Sequence, residues 1–219
     1  FSVLSGAAGS TKFQTYTVLE GGTLTLDNSV SNLNNRLGGT DFVIGAGLVR
    51  NVTMQGGEFR ILGNAGVATV ETMNLGTVGA LSVISGGSIL TLDANGQNLT
   101  LNAGNLAALA GGGSLLVRGD NLGALTGTAS RLFAPSVVNF LGGGTGDGSN
   151  TISIRPDIIA DTSATGNGIA FATYSAIGGV RPLAASELAP GLFRAFATSS
   201  NVAVNSTQIF GSVTTNSLT

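Results

Sequence analysis

Hydrophobic and polar residues alternate in short runs along the first half of the chain. The clearest runs are 89–93 (ILTLD) and 98–102 (NLTLN), in which leucines recur at every second residue. A period of two is typical of a β-strand that buries one face. Residues 85–88 (SGGS) and 94–97 (ANGQ) flank these runs with types that suit tight turns. The pattern predicts a unit of strand, glycine-rich corner and strand, with no helical period over 13–101.

A pair of glycines followed by strand-like alternation recurs through the N-terminal half. The intervals between copies vary between about 17 and 30 residues, whereas propeller blades need about 40. Such intervals fit a parallel β-helix (β-solenoid), whose coils hold two or three short strands and stack their apolar rows on one another. We therefore predict an all-β parallel β-helix with a more irregular C-terminal third. The copies begin at Gly21, Gly38, Gly56, Gly86 and Gly112.

One alternative to the coil is a local β-hairpin. The dipeptide Asn95-Gly96 is a strong hairpin signal, and it would pair 89–93 with 98–102 as antiparallel neighbours. The glycine pairs that recur on both sides of this segment favour a coil instead. If the two strands were antiparallel neighbours in one sheet, the β-helix prediction would fail at its centre.

The repeat pattern loosens after Asp120. We expect a repeat-bearing body at 1–120 and an irregular β continuation of the same elongated body at 121–219. Strands are predicted at 151–154 and 169–174. A short helix is predicted at 181–190, which has proline near both ends.

The phrase Gly-Gly-Thr-Leu-Thr-Leu at 21–26, with its copies over about 15–117, resembles the β-strand repeats of bacterial autotransporter passengers. The segment 180–183 is similar to passages between repeats in such proteins. The resemblance implies a secreted β-helical protein with an extracellular or cell-surface location. It also implies a scaffold, adhesive or assembly role.

Composition excludes several classes of protein. Only 9% of the 219 residues are charged, against about 25% in ordinary domains. Because 42% are hydrophobic, the chain is expected to fold. The net charge of −2 and the scattered basic residues give no nucleic-acid footprint. No apolar run approaches the roughly 18 residues of a membrane span.

Candidate chemistry is sparse. Without His or Cys, neither a Ser-His-Asp nor a Cys-His site is possible, so we predict a non-enzymatic protein without cofactors. The closest carboxylate pair, Asp157 and Asp161, is interpreted as loop solvation and capping, with catalysis as the alternative. Asp27, Glu58 and Asp93 are expected on a solvated outer face.

Two binding hypotheses remain open. The stretch 142–150 is similar to a calcium-binding nonapeptide with its acidic residue one place early, so Asp147 is a candidate calcium ligand and a plain glycine-rich turn is the alternative. A flat ladder of threonines would suit ice binding, although threonine is also an ordinary strand residue. The threonines in question are Thr23, Thr25, Thr91 and Thr100.

Both ends of the chain are apolar and strand-like, which predicts end-to-end self-association through unpaired strand edges, by head-to-tail stacking or strand donation between copies. We expect a homo-oligomer or homopolymer that builds an extracellular fibre, surface layer or adhesin. The alternative is a carbohydrate-binding or carbohydrate-cleaving extracellular β-helix with a cell-surface glycan as partner. Candidate residues for self-association are Phe1, Val3, Leu4, Phe210, Val213 and Leu218.

Overall fold

The computed structural model describes residues 1–9, 11, 13, 15–38, 50–73, 80–106, 109–134, 139–189, 199–202 and 217–218. These residues form an all-β chain whose helical content is one 3-10 turn, Ala185–Glu187. None of the described helical segments is long and apolar enough to cross a membrane. The strands are β1 Ser2–Leu4, β2 Thr15–Leu19, β3 Thr23–Asp27, β4 Asn51–Gln55, β5 Glu58–Leu62, β6 Thr69–Thr72, β7 Ala80–Ser85, β8 Gly87–Asp93, β9 Leu99–Asn102, β10 Asn105–Leu106, β11 Ser114–Gly119, β12 Ser130–Phe133, β13 Arg155–Asp161, β14 Ala170–Ser175, β15 Gly179–Pro182, β16 Asn201–Val202 and β17 Ser217–Leu218.

Most strands belong to three sheets. Sheet A has the order β1-β3-β5-β8-β11-β13-β14-β15, sheet B the order β10-β7-β4-β2 and sheet C the order β12-β9-β6. Every pairing in sheets B and C is parallel, and sheet A is parallel from β1 to β13. Strands β14 and β15 are antiparallel additions. From β4 to β12 the chain visits the sheets in the order B, A, C three times.

The strands on either side of the Asn95-Gly96 turn lie in different sheets. Strand β8 pairs in parallel with β5 and β11, and β9 pairs in parallel with β6 and β12. The hairpin alternative is therefore wrong, and the turn is a corner between sheets A and C. Asn95 has φ +54° and Gly96 φ +90°, backbone conformations that asparagine and glycine tolerate better than other residues.

The alternating pattern produces rows of like residues inside the molecule. Parallel register places the inward residues of successive sheet A strands directly above one another, and all of them are buried. Burying each such side chain contributes roughly 1.5–3 kcal/mol, and each row becomes continuous only when the strands stack. The two main rows are Leu24-Phe59-Leu90-Val117 and Leu26-Ile61-Leu92.

Asparagine side chains join neighbouring corners between sheets A and C. The Asn64 Nδ2 donates to the Asn28 carbonyl at 2.9 Å, and the Asn95 Nδ2 donates to the Gly63 carbonyl at 3.1 Å. Corner carbonyls lie outside the strand ladders, so these bonds satisfy acceptors that the sheets leave unpaired.

A tight corner between β4 and β5 yields a test of this stacking. A Cβ atom added to Gly57 would meet the Leu19 carbonyl, the Val18 Cγ1 at 2.6 Å and the Gly22 carbonyl at 2.8 Å. We expect Gly57→Ala to lower the free energy of unfolding by about 1–3 kcal/mol in chemical denaturation, because the backbone must shift. Gly146→Ala is the control, since nothing lies within 4 Å of its added Cβ. Equal destabilisation by both substitutions would contradict close corner packing.

The C-terminal third departs from two local predictions. In place of a strand at 151–154, isolated bridges form at Ile152 and Ile154, and β13 begins at Arg155. In place of a helix at 181–190, β15 runs to Pro182 and a single 3-10 turn follows. The predicted strand at 169–174 is confirmed as β14. Parallel pairing continues beyond residue 120 through β12 and β13, so sheet A changes character only at β14.

Candidate functional site

The N-terminal end of sheet B carries a strand edge without a neighbour in the described chain. Among the described strands, β2 is the last of its sheet and pairs only with β4. Sheet A extends further at the same end, because β1 adds to β3 in parallel. The two sheets therefore end unevenly. An unpaired strand edge presents a row of N–H and C=O groups that can pair with another strand.

An apolar cleft of about 540 Å³ lies between β1 and β2, within the range of about 300–1,000 Å³ typical of ligand pockets. The Phe13 and Tyr16 rings meet edge to face with centroids 6.4 Å apart, and the Tyr16 hydroxyl donates to the Thr11 Oγ1 at 3.1 Å. Phe1, Phe13 and Leu19 are largely exposed. The cleft thus combines exposed apolar surface with an unpaired strand edge. Its lining includes Phe1, Leu4, Phe13, Tyr16, Val18, Leu19 and Leu24.

A fully buried arginine anchors the segment that forms one wall of this cleft. The Arg36 NH1 donates to the carbonyls of Gly6 and Gly9, each at 2.9 Å. Its Nε donates to the Asn28 Oδ1 at 2.8 Å, and its NH2 donates to the Ser31 carbonyl at 2.6 Å. The residues that follow β1 are therefore held to the body by one guanidinium group.

A buried carboxyl group fixes the backbone around that arginine. The Glu71 Oε2 accepts the Arg36 N–H at 2.7 Å, and the Oε1 accepts the Leu37 N–H at 3.0 Å. Burial raises the pKa of Glu71 to about 8, although both N–H bonds and the charge of Arg36 act to lower it. Neither Arg36 nor Glu71 is identified by the sequence pattern. Alternation would place apolar Val70 inward and Glu71 outward, whereas in β6 Glu71 is the inward residue, so the sequence carries no signal for this pair.

The structure describes part of the proposed self-association set. Phe1 and Val3 are exposed and Leu4 lines the cleft, so the three N-terminal candidates lie at one end with β2. Phe210 and Val213 lie outside the described residues. Leu218 belongs to β17, whose backbone pairs in parallel with β16.

The outward carboxylates of sheet A bridge neighbouring strands. The Arg60 NH2 lies 2.7 Å from the Asp93 Oδ2, and the Arg118 NH2 lies 3.2 Å from the Glu58 Oε1. The Thr91 hydroxyl donates to the same Glu58 oxygen at 2.6 Å. Glu58 and Asp93 face outward as expected, and they also connect successive strands across the sheet.

The remaining carboxylates fill local structural roles. Asp27 accepts bonds from the hydroxyl and N–H of Ser29. Asp157 forms a two-point ion pair with the buried Arg155, at 2.7 and 2.8 Å. Asp161 accepts the Ser163 N–H at 2.9 Å and the Gly168 N–H at 2.8 Å. Asp157 and Asp161 thus hold different segments and do not converge on a shared site.

Asp147 is engaged by side chains of the C-terminal third. The Arg181 NH2 donates to its Oδ1 at 2.8 Å, and the Ser175 hydroxyl donates to its Oδ2 at 2.7 Å. Among the described residues, no group of three or more acidic side chains is placed to hold a metal ion. The calcium hypothesis at Asp147 therefore gains no support from an acidic cluster in the described residues.

The candidate threonines do not form a continuous ladder. Thr25 and Thr91 share an outward row of sheet A, but Arg60 stands between them. The neighbour of Thr23 in the next strand is Glu58, and Thr100 lies in sheet C. Charged residues therefore interrupt the regular hydroxyl array that ice binding would need.

No protein-family model, curated protein or solved structure matches this chain. The cleft beside β2 combines exposed apolar side chains, an unpaired strand edge and a rigid anchor. These features suit the docking of another polypeptide strand.

Proposed function

We propose that this chain is a secreted parallel β-helix of the autotransporter-passenger type that serves as a non-enzymatic building block of an extracellular or cell-surface assembly. Copies associate through their N-terminal ends. The observation that carries the proposal is the unpaired edge of β2 beside the apolar cleft.

Three features support the β-helix. From β4 to β12 the chain passes through sheets B, A and C in a constant order, and one such pass is a circuit. Neighbouring strands in successive circuits are parallel, and inward residues stack in register. Each circuit alone has too little apolar surface to offset the entropy of ordering its backbone, whereas stacked circuits share a continuous core. An end circuit therefore gains stability when another strand covers it.

The two ends of sheet A differ in a way that selects the mode of association. At the C-terminal side, β14 runs antiparallel to the stack, and β15 pairs antiparallel with β14 as the last strand of the sheet. Gly178 and Gly179 lie so close to the backbones of Gly123 and Leu132 that neither glycine has room for a Cβ atom. A strand cannot easily add to this covered edge. Contact between two N-terminal ends is consequently favoured over head-to-tail stacking, and it gives a closed two-fold dimer as the basic unit.

The double substitution Phe13→Ser/Leu19→Lys tests this contact. Both side chains are exposed at the cleft, so the folded subunit should tolerate the change, while a charge at the strand edge opposes pairing. In sedimentation velocity over a concentration series, we expect the parent to form dimers or larger species and the variant to stay monomeric.

Val67→Lys is the matched control, because Val67 is 52% exposed, close to the 59% of Leu19, but does not line the cleft. This variant should associate like the parent. A parent protein that is monomeric at every concentration would refute the proposal. Unchanged association of the double variant would place the contact elsewhere and refute it as well.

A further inference from the structure

Two clefts meet at Arg181 on the surface of the C-terminal third. One has a volume of about 280 Å³ and the other about 460 Å³, near the lower end of the range of about 300–1,000 Å³ for ligand pockets. They share Gly123, Arg181 and Ala184, so they form one groove. We call this surface the Arg181 groove. Its polar lining includes Asp147, Ser175, Ser186 and Glu187 at one end and Asn121 and Thr162 at the other.

The floor of the Arg181 groove is held rigid by one buried carboxylate. Glu187 accepts the N–H groups of Gly148 and Ala184, each at 2.8 Å, and both terminal nitrogens of Arg181. These bonds tie the turn at Gly148 to the end of β15 and the 3-10 turn that follows it. They also occupy both oxygens of Glu187, which leaves this carboxylate no capacity to act as an acid or base.

Asp147 and Ser186 remain able to bond a ligand. The Asp147 side chain is 48% exposed, and each of its oxygens accepts only one bond within the protein, so acceptor capacity remains toward the groove. The hydrogen bond from Arg181 lowers the pKa of Asp147, which keeps this carboxylate ionised at neutral pH. Ser186 is exposed beside it.

Apolar side chains stand at both ends of the groove. Leu125 lines the smaller cleft and Ile169 the larger one, and both are mostly exposed. Between them the surface consists of small residues such as Gly123 and Ala184. Apolar walls with a few convergent polar groups are characteristic of ligand-binding grooves.

The charges and the backbone of the groove restrict the class of ligand. Two carboxylates face one guanidinium, so the polar end carries a net negative charge and disfavours an anion. A peptide cannot add as a strand to β15, because that edge is covered by Gly123 and Leu132. The acceptors that remain suit a ligand with many hydroxyl donors.

We propose that the Arg181 groove binds a neutral oligosaccharide. Asp147 and Ser186 bond sugar hydroxyls, and Leu125 and Ile169 pack against the C–H faces of the sugar rings. Binding occurs without cleavage, since glycoside hydrolysis needs two available carboxyl groups and the bonds to Glu187 leave only Asp147. This site is independent of the N-terminal contact, so either proposal can fail without affecting the other.

The first test fills the groove without disturbing its hydrogen bonds. Ala184 is exposed and lines both clefts, so Ala184→Gln should block the groove and leave the fold intact. Ala65→Gln is the control at an exposed alanine outside the groove. The probes are cello-, malto- and chito-oligosaccharides as neutral ligands and oligogalacturonate as an acidic one, measured by isothermal titration calorimetry. Circular dichroism verifies that both variants are folded.

We expect the parent and Ala65→Gln to bind at least one neutral probe and Ala184→Gln to lose binding. Asp147→Asn should weaken binding by about tenfold or more, because a charge-assisted hydrogen bond is lost. Asp93→Asn, which alters a carboxylate paired with an arginine elsewhere, should leave affinity unchanged. Absence of binding by every neutral probe, preference for oligogalacturonate, or full binding by Ala184→Gln would overturn the proposal.

Discussion

The free energy of unfolding is expected to fall as the pH rises from about 5 to about 9, by up to about 5 kcal/mol, because of the buried carboxyl group of Glu71. Glu71 is 1% exposed, and burial raises its pKa from 4.5 to about 8. Between these values the folded state holds a proton that the unfolded chain has released. Stability is therefore fully present below the unfolded pKa, decreases through this interval, and levels off above the folded pKa.

Glu71→Gln identifies the group responsible. The substitution removes one of the two acceptors that satisfy the N–H groups of Arg36 and Leu37, which should cost about 1–3 kcal/mol at pH 5. It also removes the cost of a buried charge, so the variant should match or exceed the parent at pH 9. Urea denaturation across the pH series measures both effects.

Glu20→Gln is the control, because it removes an exposed carboxyl group at the same end of the molecule. This variant should retain the slope of the parent. A parent stability that does not change between pH 5 and pH 9 would show that Glu71 stays ionised in the folded protein.

At acidic pH the free energy of unfolding is expected to change with pH in the opposite direction. Hydrogen bonds from Ser29 lower the pKa of Asp27, and the hydrogen bond from Arg181 lowers that of Asp147. For Glu187, burial raises the pKa, but the bonds from Arg181, Gly148 and Ala184 outweigh it and the pKa ends below its usual value. Stability from these groups is present above their unfolded pKa values and is lost as the pH falls through the folded ones. Maximal stability is therefore expected at mildly acidic pH.

Arg36→Met is expected to lower the free energy of unfolding by about 3–5 kcal/mol, since it removes a buried guanidinium whose three nitrogens all donate hydrogen bonds. Four hydrogen bonds are lost at once, among them those to the carbonyls of Gly6 and Gly9 that hold the segment after β1. Methionine fills most of the volume of the arginine side chain, so the loss of stability measures the missing hydrogen bonds more than a cavity.

Chemical denaturation measures the global effect, and hydrogen exchange measures the local one at the amides of Val3 and Leu4. Arg60→Met is the control, because the Arg60 side chain is 41% exposed in its ion pair with Asp93 and should contribute less than about 1 kcal/mol. Equal losses in the two variants would contradict an anchoring role for Arg36. Unchanged exchange at β1 in Arg36→Met would contradict it independently.

Local structure in the regular half was predictable from the sequence, because the signals are local. The runs 23–27, 58–62 and 89–93 lie within strands of sheet A, since a period of two and flanking glycines specify a strand without knowledge of its partners. The exposed end residues Phe1 and Val3 were also identifiable, as apolar residues of a short strand. The helix expected at 181–190 failed because its first residues pair with β14 as strand β15, a contact that local propensity does not encode.

Composition and alternation by themselves determined that the chain is all-β, because they depend only on residues a few positions apart. Tertiary structure alone decided what Asn95-Gly96 joins, because the same turn dipeptide can connect two strands of one sheet or two sheets. It also decided that Arg36 and Glu71 are buried and that Asp147 meets Arg181, 34 residues away. These contacts depend on which circuits stack on one another. The stacking is set by the total apolar surface that many rows of inward side chains bury, and no single stretch of sequence encodes that total.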